Sequence, residues 1–182
     1  MKWDVLKREY LSNHQYFTAR KDRCQKPDGK IVEEYFVVEL PTSATAFALT
    51  ENNEVVLVQQ YRHPIEEVIY ETPGGFVDPG EDHLTGMRRE LLEETGYEFP
   101  HIEYLGRVAA NPGVLNNFTE LYFATGGRKV AAQQLDHNED IQIALVPLEK
   151  VVEQFMQNKI VQSLHTCCIA YALLKMGRLQ LK

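Results

Sequence analysis

Apolar positions in this chain follow two rhythms, one of strands and one of helices. Residues 14–40 alternate β-prone side chains (Tyr16, Phe17, Ile31, Val32, Tyr35, Phe36, Val37, Val38) about the turn Lys26-Pro27-Asp28-Gly29, which predicts an antiparallel hairpin. Pro41-Thr42-Ser43 ends it. Residues 44–49 and 54–60 form a second strand pair around Asn52-Asn53, and the unbroken apolar run 55–58 suits a strand covered on both faces. Residues 68–71 are a strand leading into the turn Thr72-Pro73-Gly74-Gly75. The rhythm then turns helical: Asp82 is an N-cap, Leu84, Met87, Leu91 and Leu92 recur at helical spacing, and Gly96 supplies a left-handed stop. Strands are expected again at 102–110 and 118–125, separated by the loop 111–117, and at 141–146 after the polar stretch 126–138. From Pro147 the pattern is helical once more. Leu148, Val151, Val152, Phe155 and Met156 make one amphipathic segment. Ser163 caps another, running to residue 176 with Leu164, Cys167, Tyr171 and Leu174 on its buried side.

The first of these helices carries the chemistry. Glu90, Glu93 and Glu94 stand at i, i+3 and i+4, so their carboxylates share one face. Each i,i+4 contact of like sign costs roughly 0.2–0.5 kcal/mol, and the negative end of the helix dipole adds to the repulsion. A cation should compensate, and carboxylate oxygens are hard donors suited to Mg²⁺ or Mn²⁺. A solvated acidic face would carry the same string of residues. Gly86 changes the balance, because a helix interior prefers Ala by about 1 kcal/mol. A missing side chain there lets another backbone, that of the Thr72-Pro73-Gly74-Gly75 turn, approach the carboxylates.

Gly75, Glu81, Arg89, Glu90, Leu91, Glu93, Glu94, Gly96 and Tyr97 together resemble a complete Nudix box, with every specified residue at its spacing. The resemblance implies an α/β fold, the Nudix α/β/α sandwich with a mixed sheet, here preceded by an N-terminal antiparallel β-hairpin extension. It also implies a divalent-metal requirement and cleavage of a diphosphate linked to a nucleoside. By motif position, Glu90, Glu93 and Glu94 resemble the family's metal ligands and Gly74 the backbone ligand, with Mg²⁺ (or Mn²⁺) as the cofactor. Glu81 and Arg89 resemble its internal ion pair. Arg62, in Gln-x-Arg, and the Pro112-Gly113 turn are similar to substrate-contacting segments of the ADP-ribose and nucleotide-sugar branch, and Arg suits a diphosphate because its planar fork holds two oxygens. Glu139, in the later polar stretch, resembles the catalytic base; His137, standing where some relatives carry an acid, is the alternative, since a histidine can also activate water, and Glu93 shares the catalytic group.

Two segments are expected, 1–41 as the β extension for dimerisation and base binding and 42–182 as the hydrolase domain. The extension is similar to one that such enzymes exchange across a dimer, which implies a homodimer whose site borrows residues from its partner.

Composition narrows the alternatives. A net charge of −7 and pI near 5.4 argue against nucleic-acid binding. No apolar run reaches a membrane span, and the first residues do not open a signal peptide, so a cytoplasmic setting is expected. The odd cysteine number fits reduced thiols, and His165, Cys167 and Cys168, in an apolar helical run, are expected to be core packing. The leading expectation is Mg²⁺-dependent hydrolysis of a small-molecule nucleoside diphosphate sugar, ADP-ribose, GDP-mannose or similar, to a nucleoside monophosphate and a sugar phosphate. A house-cleaning nucleoside triphosphate pyrophosphatase and a non-catalytic nucleotide-sugar sensor on the same fold are the alternatives.

Overall fold

The structure, a computed structural model, describes residues 1–14, 17–137 and 139–179. It contains two compact units, Met1–Pro41 with Ala109–Phe118, and Thr42–Val108 with Thr119–Lys182.

The first unit is an antiparallel sheet of three strands, β1 (Asp4–His14), β2 (Phe17–Gln25) and β3 (Ile31–Glu39), in that order. The β2–β3 hairpin turns at Lys26–Lys30, where the Lys26 amide donates to the Lys30 carbonyl. Strand β1 is an addition to the two strands expected. Charged residues break its alternation and nearly all of it is exposed, so no hydrophobic period marked it. Tyr16, expected in a strand, lies outside the described residues. The segment 109–118 is bolted to β3: the Val38 amide donates to the Val114 carbonyl, the Leu40 amide to Asn116 Oδ1, and the Tyr35 hydroxyl to the Gly113 carbonyl.

The second unit is an α/β/α sandwich. Its mixed sheet runs β11 (Ile141–Pro147), β5 (Glu54–Arg62), β4 (Ser43–Thr50), β10 (Thr119–Lys129), β8 (Tyr97–Glu98), with β6 (Glu67–Glu71) on β5, β7 (Gly74–Phe76) on β4 and β9 (His101–Val108) on β10. Among the described residues of this sheet, only β4 and β10 pair in parallel. Alternation along β4 divides the interior: Ala44, Ala46 and Ala48 face Met87 and Leu91 of α1 (His83–Thr95). Phe47 and Leu49 face Val151 of α2 (Leu148–Met156) and Cys168, Ile169, Ala172 and Leu173 of α3 (Ser163–Lys175). The alanines are small because α1 lies close over them, which holds its acidic residues near the sheet.

Local signals set α1. The Asp82 carboxylate accepts from the Thr85 amide, and Gly96 ends the helix at φ 70°. Helix α3 departs from expectation twice. Its cap is Gln162, whose side chain accepts from the Leu164 and His165 amides, rather than Ser163. Its buried face carries His165, Cys168, Ile169, Ala172 and Leu173, while Tyr171 and Leu174 are exposed. The segment is apolar on nearly every side, so periodicity could not choose the buried stripe.

Candidate active site

The turn between β6 and β7 and the outer face of α1 come together. The Glu94 carboxylate, buried beneath the turn, accepts from the Gly74 amide at 2.7 Å. The Glu90 carboxylate lies against Gly75 so closely that a Cβ there would sit 2.6 Å from Glu90 Oε2. Gly75 is thus the glycine that lets a carboxylate reach backbone. At Gly86, by contrast, it is the Glu81 carboxylate and the Val77 side chain that fill the space, and not the turn, because Glu81 folds back toward the helix.

Arg89 distributes its donors among the acids. Nε and Nη2 hold Glu81 at 3.2 and 3.1 Å, Nη1 holds Glu90 at 2.8 Å and Glu93 at 2.9 Å, and Nη2 also reaches the Phe76 carbonyl. The Glu81 pairing, with help from Glu90 and Glu93, keeps this guanidinium firmly protonated. One cation does not balance the cluster. Burial pushes the Glu90 carboxyl up to about 6 against the pull of Arg89, with Glu93 and Glu139 adding to the rise. Burial pushes Glu94 further, to about 8, despite its bond from the Gly74 amide, and the charges of Glu90, Glu139 and Glu71 reinforce the rise.

Glu139 enters this field from the loop after β10, which wraps the end of α1. The Gly96 carbonyl accepts from the Val130 and Ala131 amides, the Glu93 carbonyl from the Gln134 amide, and the Glu94 carbonyl from Gln133 Nε2. Within that loop the Glu139 carboxylate accepts from the Asp136 amide. His137 is exposed on the same loop.

The charge and donor set fit a hard divalent cation, since buried carboxylates with raised proton affinity lack positive charge. Among the described residues, no three acidic, histidine or cysteine side chains already converge on one ion-sized point. Arg89 Nη1 stands between Glu90 and Glu93, so its guanidinium occupies contacts that a cation on these carboxylates would take over.

Arg62, at the end of β5, is held rather than free. Its Nε reaches both Glu71 oxygens at 3.2 and 3.1 Å, and Nη2 reaches Glu71 Oε2 at 2.7 Å. Behind Glu71 stand His165, Thr72 and Thr45, a buried polar set. Burial alone would raise the Glu71 carboxyl, but His165 and Arg62 outweigh it and hold it below the usual range. Sequence reasoning assigned His165 to plain packing and overlooked Glu71. The available signal was an acid closing strand β6 just before the turn, behind the β-prone Val68, Ile69 and Tyr70. Pro112 and Gly113 belong to the first unit, on the segment fixed to β3. A concavity of the second unit walled by Arg88, Leu92, Tyr97, Phe99, His101 and Arg128 includes none of the three helix glutamates.

The profile of the NUDIX domain matches residues 39–165. The chain belongs to the Nudix family. It is a Nudix hydrolase whose residues 3–38 match a second profile, the nucleoside diphosphate sugar hydrolase N-terminal domain. Among curated proteins, this Nudix hydrolase is 30% identical over 168 residues to the methanol dehydrogenase activator of Bacillus methanolicus, covering 92% of this chain and 90% of the relative. It is also 30% identical over 165 residues to the ADP-ribose pyrophosphatase of Mycobacterium tuberculosis, covering 89% and 79%. A solved structure described as an ADP compounds hydrolase shares the fold, with a TM-score of 0.84 over 98% of both chains at 17% identity.

Proposed function

We propose that this Nudix hydrolase cleaves, with Mg²⁺, the pyrophosphate bond of a nucleoside diphosphate sugar, with ADP-ribose the first candidate and GDP-mannose or a similar hexose conjugate the next. One observation carries the reading: the same chain joins a complete Nudix site to an N-terminal segment, residues 3–38, that matches the corresponding domain of nucleoside diphosphate sugar hydrolases.

Glu90, Glu93, Glu94 and the Gly74 carbonyl would hold the metal (Mn²⁺ serving as a substitute). When bound, Mg²⁺ supplies charge neutralisation of the diphosphate and a water of lowered pKa. Arg62 orients the diphosphate with the part of its fork not given to Glu71. Glu139 takes the proton of the attacking water. Its electrostatic coupling to Glu90 and Glu94 supports this choice over the exposed His137. The water oxygen ends on one phosphorus and the bridging oxygen leaves with the other, giving a nucleoside monophosphate and a sugar phosphate. Pro112 and Gly113 enter the proposal as substrate contacts on the resemblance of their turn to that of the ADP-ribose branch.

The active form in this proposal is a cytoplasmic homodimer. The first unit exposes Val5, Leu6, Tyr10, Leu11, Phe17 and Phe36, more apolar surface than a small isolated sheet keeps in water. Cys24, Cys167 and Cys168 are free thiols, and no helix among the described residues is long and apolar enough to cross a membrane.

Incubation with Mg²⁺ and a panel of sugar nucleotides and nucleoside triphosphates, followed by chromatography of the products, tests the activity. Monophosphate and sugar phosphate are expected. Release of pyrophosphate from a triphosphate, with sugar nucleotides untouched, would replace the proposal with a triphosphate pyrophosphatase. Light scattering reads the dimer, and a monomer at micromolar concentration would remove that part.

A further inference from the structure

We propose that His165 is a positioning residue for diphosphate recognition, fixing the Arg62 fork through Glu71 and the Gly74 turn through Thr72. The inference rests on the proposed function and adds to it a residue on the far side of the sheet.

Three observations meet at this imidazole. Its Nε2 lies 3.5 Å from Glu71 Oε1, at the outer edge of hydrogen-bond range, and its Nδ1 lies 2.6 Å from Thr72 Oγ1 and 3.3 Å from Thr45 Oγ1. Thr45 in turn donates toward the Pro73 carbonyl at 3.0 Å and shares a hydrogen bond with Thr72 Oγ1 at 2.7 Å. Glu71 is 1% exposed, and among the described residues its side-chain partners are the Arg62 guanidinium and the His165 ring.

Geometry gives this network a direction. Thr45 pairs with Gly74 across β4 and β7, and its Ala44 and Ala46 neighbours face α1, so Thr45 and His165 support the turn from the α3 face. Glu94 grips the same Gly74 at its amide. The turn is therefore held from both sides of the sheet, by the acid helix on one and by His165 on the other. A buried carboxylate needs its lone pairs filled. His165 Nε2 approaches Glu71 from inside at 3.5 Å, and Arg62 serves it from the surface with Nε and Nη2, which fixes the plane of the guanidinium and leaves Nη1 without a hydrogen bond among the described residues. Without His165, Glu71 is free to turn and the fork loses its orientation.

Steady-state kinetics on Arg62→Ala, His165→Ala and the double variant, using whichever substrate the panel identifies, tests this. His165→Ala should raise KM about tenfold while kcat falls less than threefold. The double variant should match Arg62→Ala within twofold, because each change removes the same interaction. His165→Gln, which keeps an amide donor toward Glu71, should recover most of the KM. Multiplying penalties, or an unchanged KM in His165→Ala, would overturn the proposal. A readout independent of turnover separates it from the activity itself: the Arg62 Nε–H resonance, assigned by its loss in Arg62→Ala, should be protected in the parent and in His165→Gln and broadened in His165→Ala. Persistence in His165→Ala refutes the positioning role even if no panel compound is hydrolysed, whereas an inactive panel with the expected resonances refutes the proposed substrate alone.

Discussion

Replacing Glu94 by Gln should make the protein more stable and nearly inactive at once. The Glu94 carboxyl is buried and its proton affinity rises from 4.5 to about 8. A folded-state value above the unfolded one means that the native state binds more protons between those values. This contribution to stability is full below pH 4.5 and is lost as pH rises toward 8. At pH 7 the accumulated penalty is on the order of 3 kcal/mol. Gln keeps an oxygen for the Gly74 amide and removes the ionisation, while its new amide donors, poorly served in this acid-lined site, return about 1 kcal/mol. The net gain of about 2 kcal/mol corresponds to about 4–8 °C in melting temperature for a chain of this length. Thermal melts in chelator across pH 5 to 9 should therefore fall with pH for the parent. For the variant they should lie higher and flatter, with a smaller slope left by Glu90, whose carboxyl titrates near 6. Hydrolysis should drop by more than about 100-fold, the loss typical of disturbing a metal's outer partners being a lower bound for a direct ligand. A variant that melts below the parent at pH 8, or keeps a tenth of its activity, would refute the account of Glu94.

Adjacent glycines of the turn should respond differently. Gly74→Ala places a Cβ into the Ala44 carbonyl at φ 151° and should cost about 3 kcal/mol or more in urea unfolding. Gly75→Ala meets only the end of the Glu90 side chain, so it should cost less stability but weaken Mg²⁺ activation by pushing that carboxylate away. Glu139→Gln should lower kcat by about 10²- to 10⁴-fold with little change in melting, while His137→Gln should stay near the parent. A reversed pattern in the pH–rate profiles of that pair would assign the base to His137. Saturating Mg²⁺ should raise the melting temperature, by about 2.7 kcal/mol of stability at a hundredfold excess over its Kd, and more at pH 8 than at pH 5, because protons compete for Glu90 and Glu94.

What the sequence determined by itself was whatever depends on near neighbours. Helix α1 was legible from its Asp82 cap to its Gly96 stop, because caps and a 3.6-residue period act within a few residues. The crowding of Glu90, Glu93 and Glu94 followed from the same period, and the spacing of the Nudix box placed the turn ahead of it. The hairpin at Lys26–Lys30 and the longer strands of the central sheet were likewise signalled by turn residues and apolar runs, whereas the short β7, read as part of a turn, and the two-residue β8 were not. The tertiary structure decided what depends on distant partners. His165 sits 93 positions from Thr72 and 120 from Thr45, so a helix that reads as uniformly apolar hides a polar anchor for the turn. Strand β1, nearly all exposed, takes its place by pairing with β2 rather than from any hydrophobic period. Tyr35 reaches Gly113 across 78 positions, which attaches segment 109–118 to the first unit although its sequence lies inside the second. Periodicity reports which residues will be buried only where one face differs from the others. Where a segment is apolar all round, or polar all round, the choice of face belongs to whatever the rest of the chain brings against it.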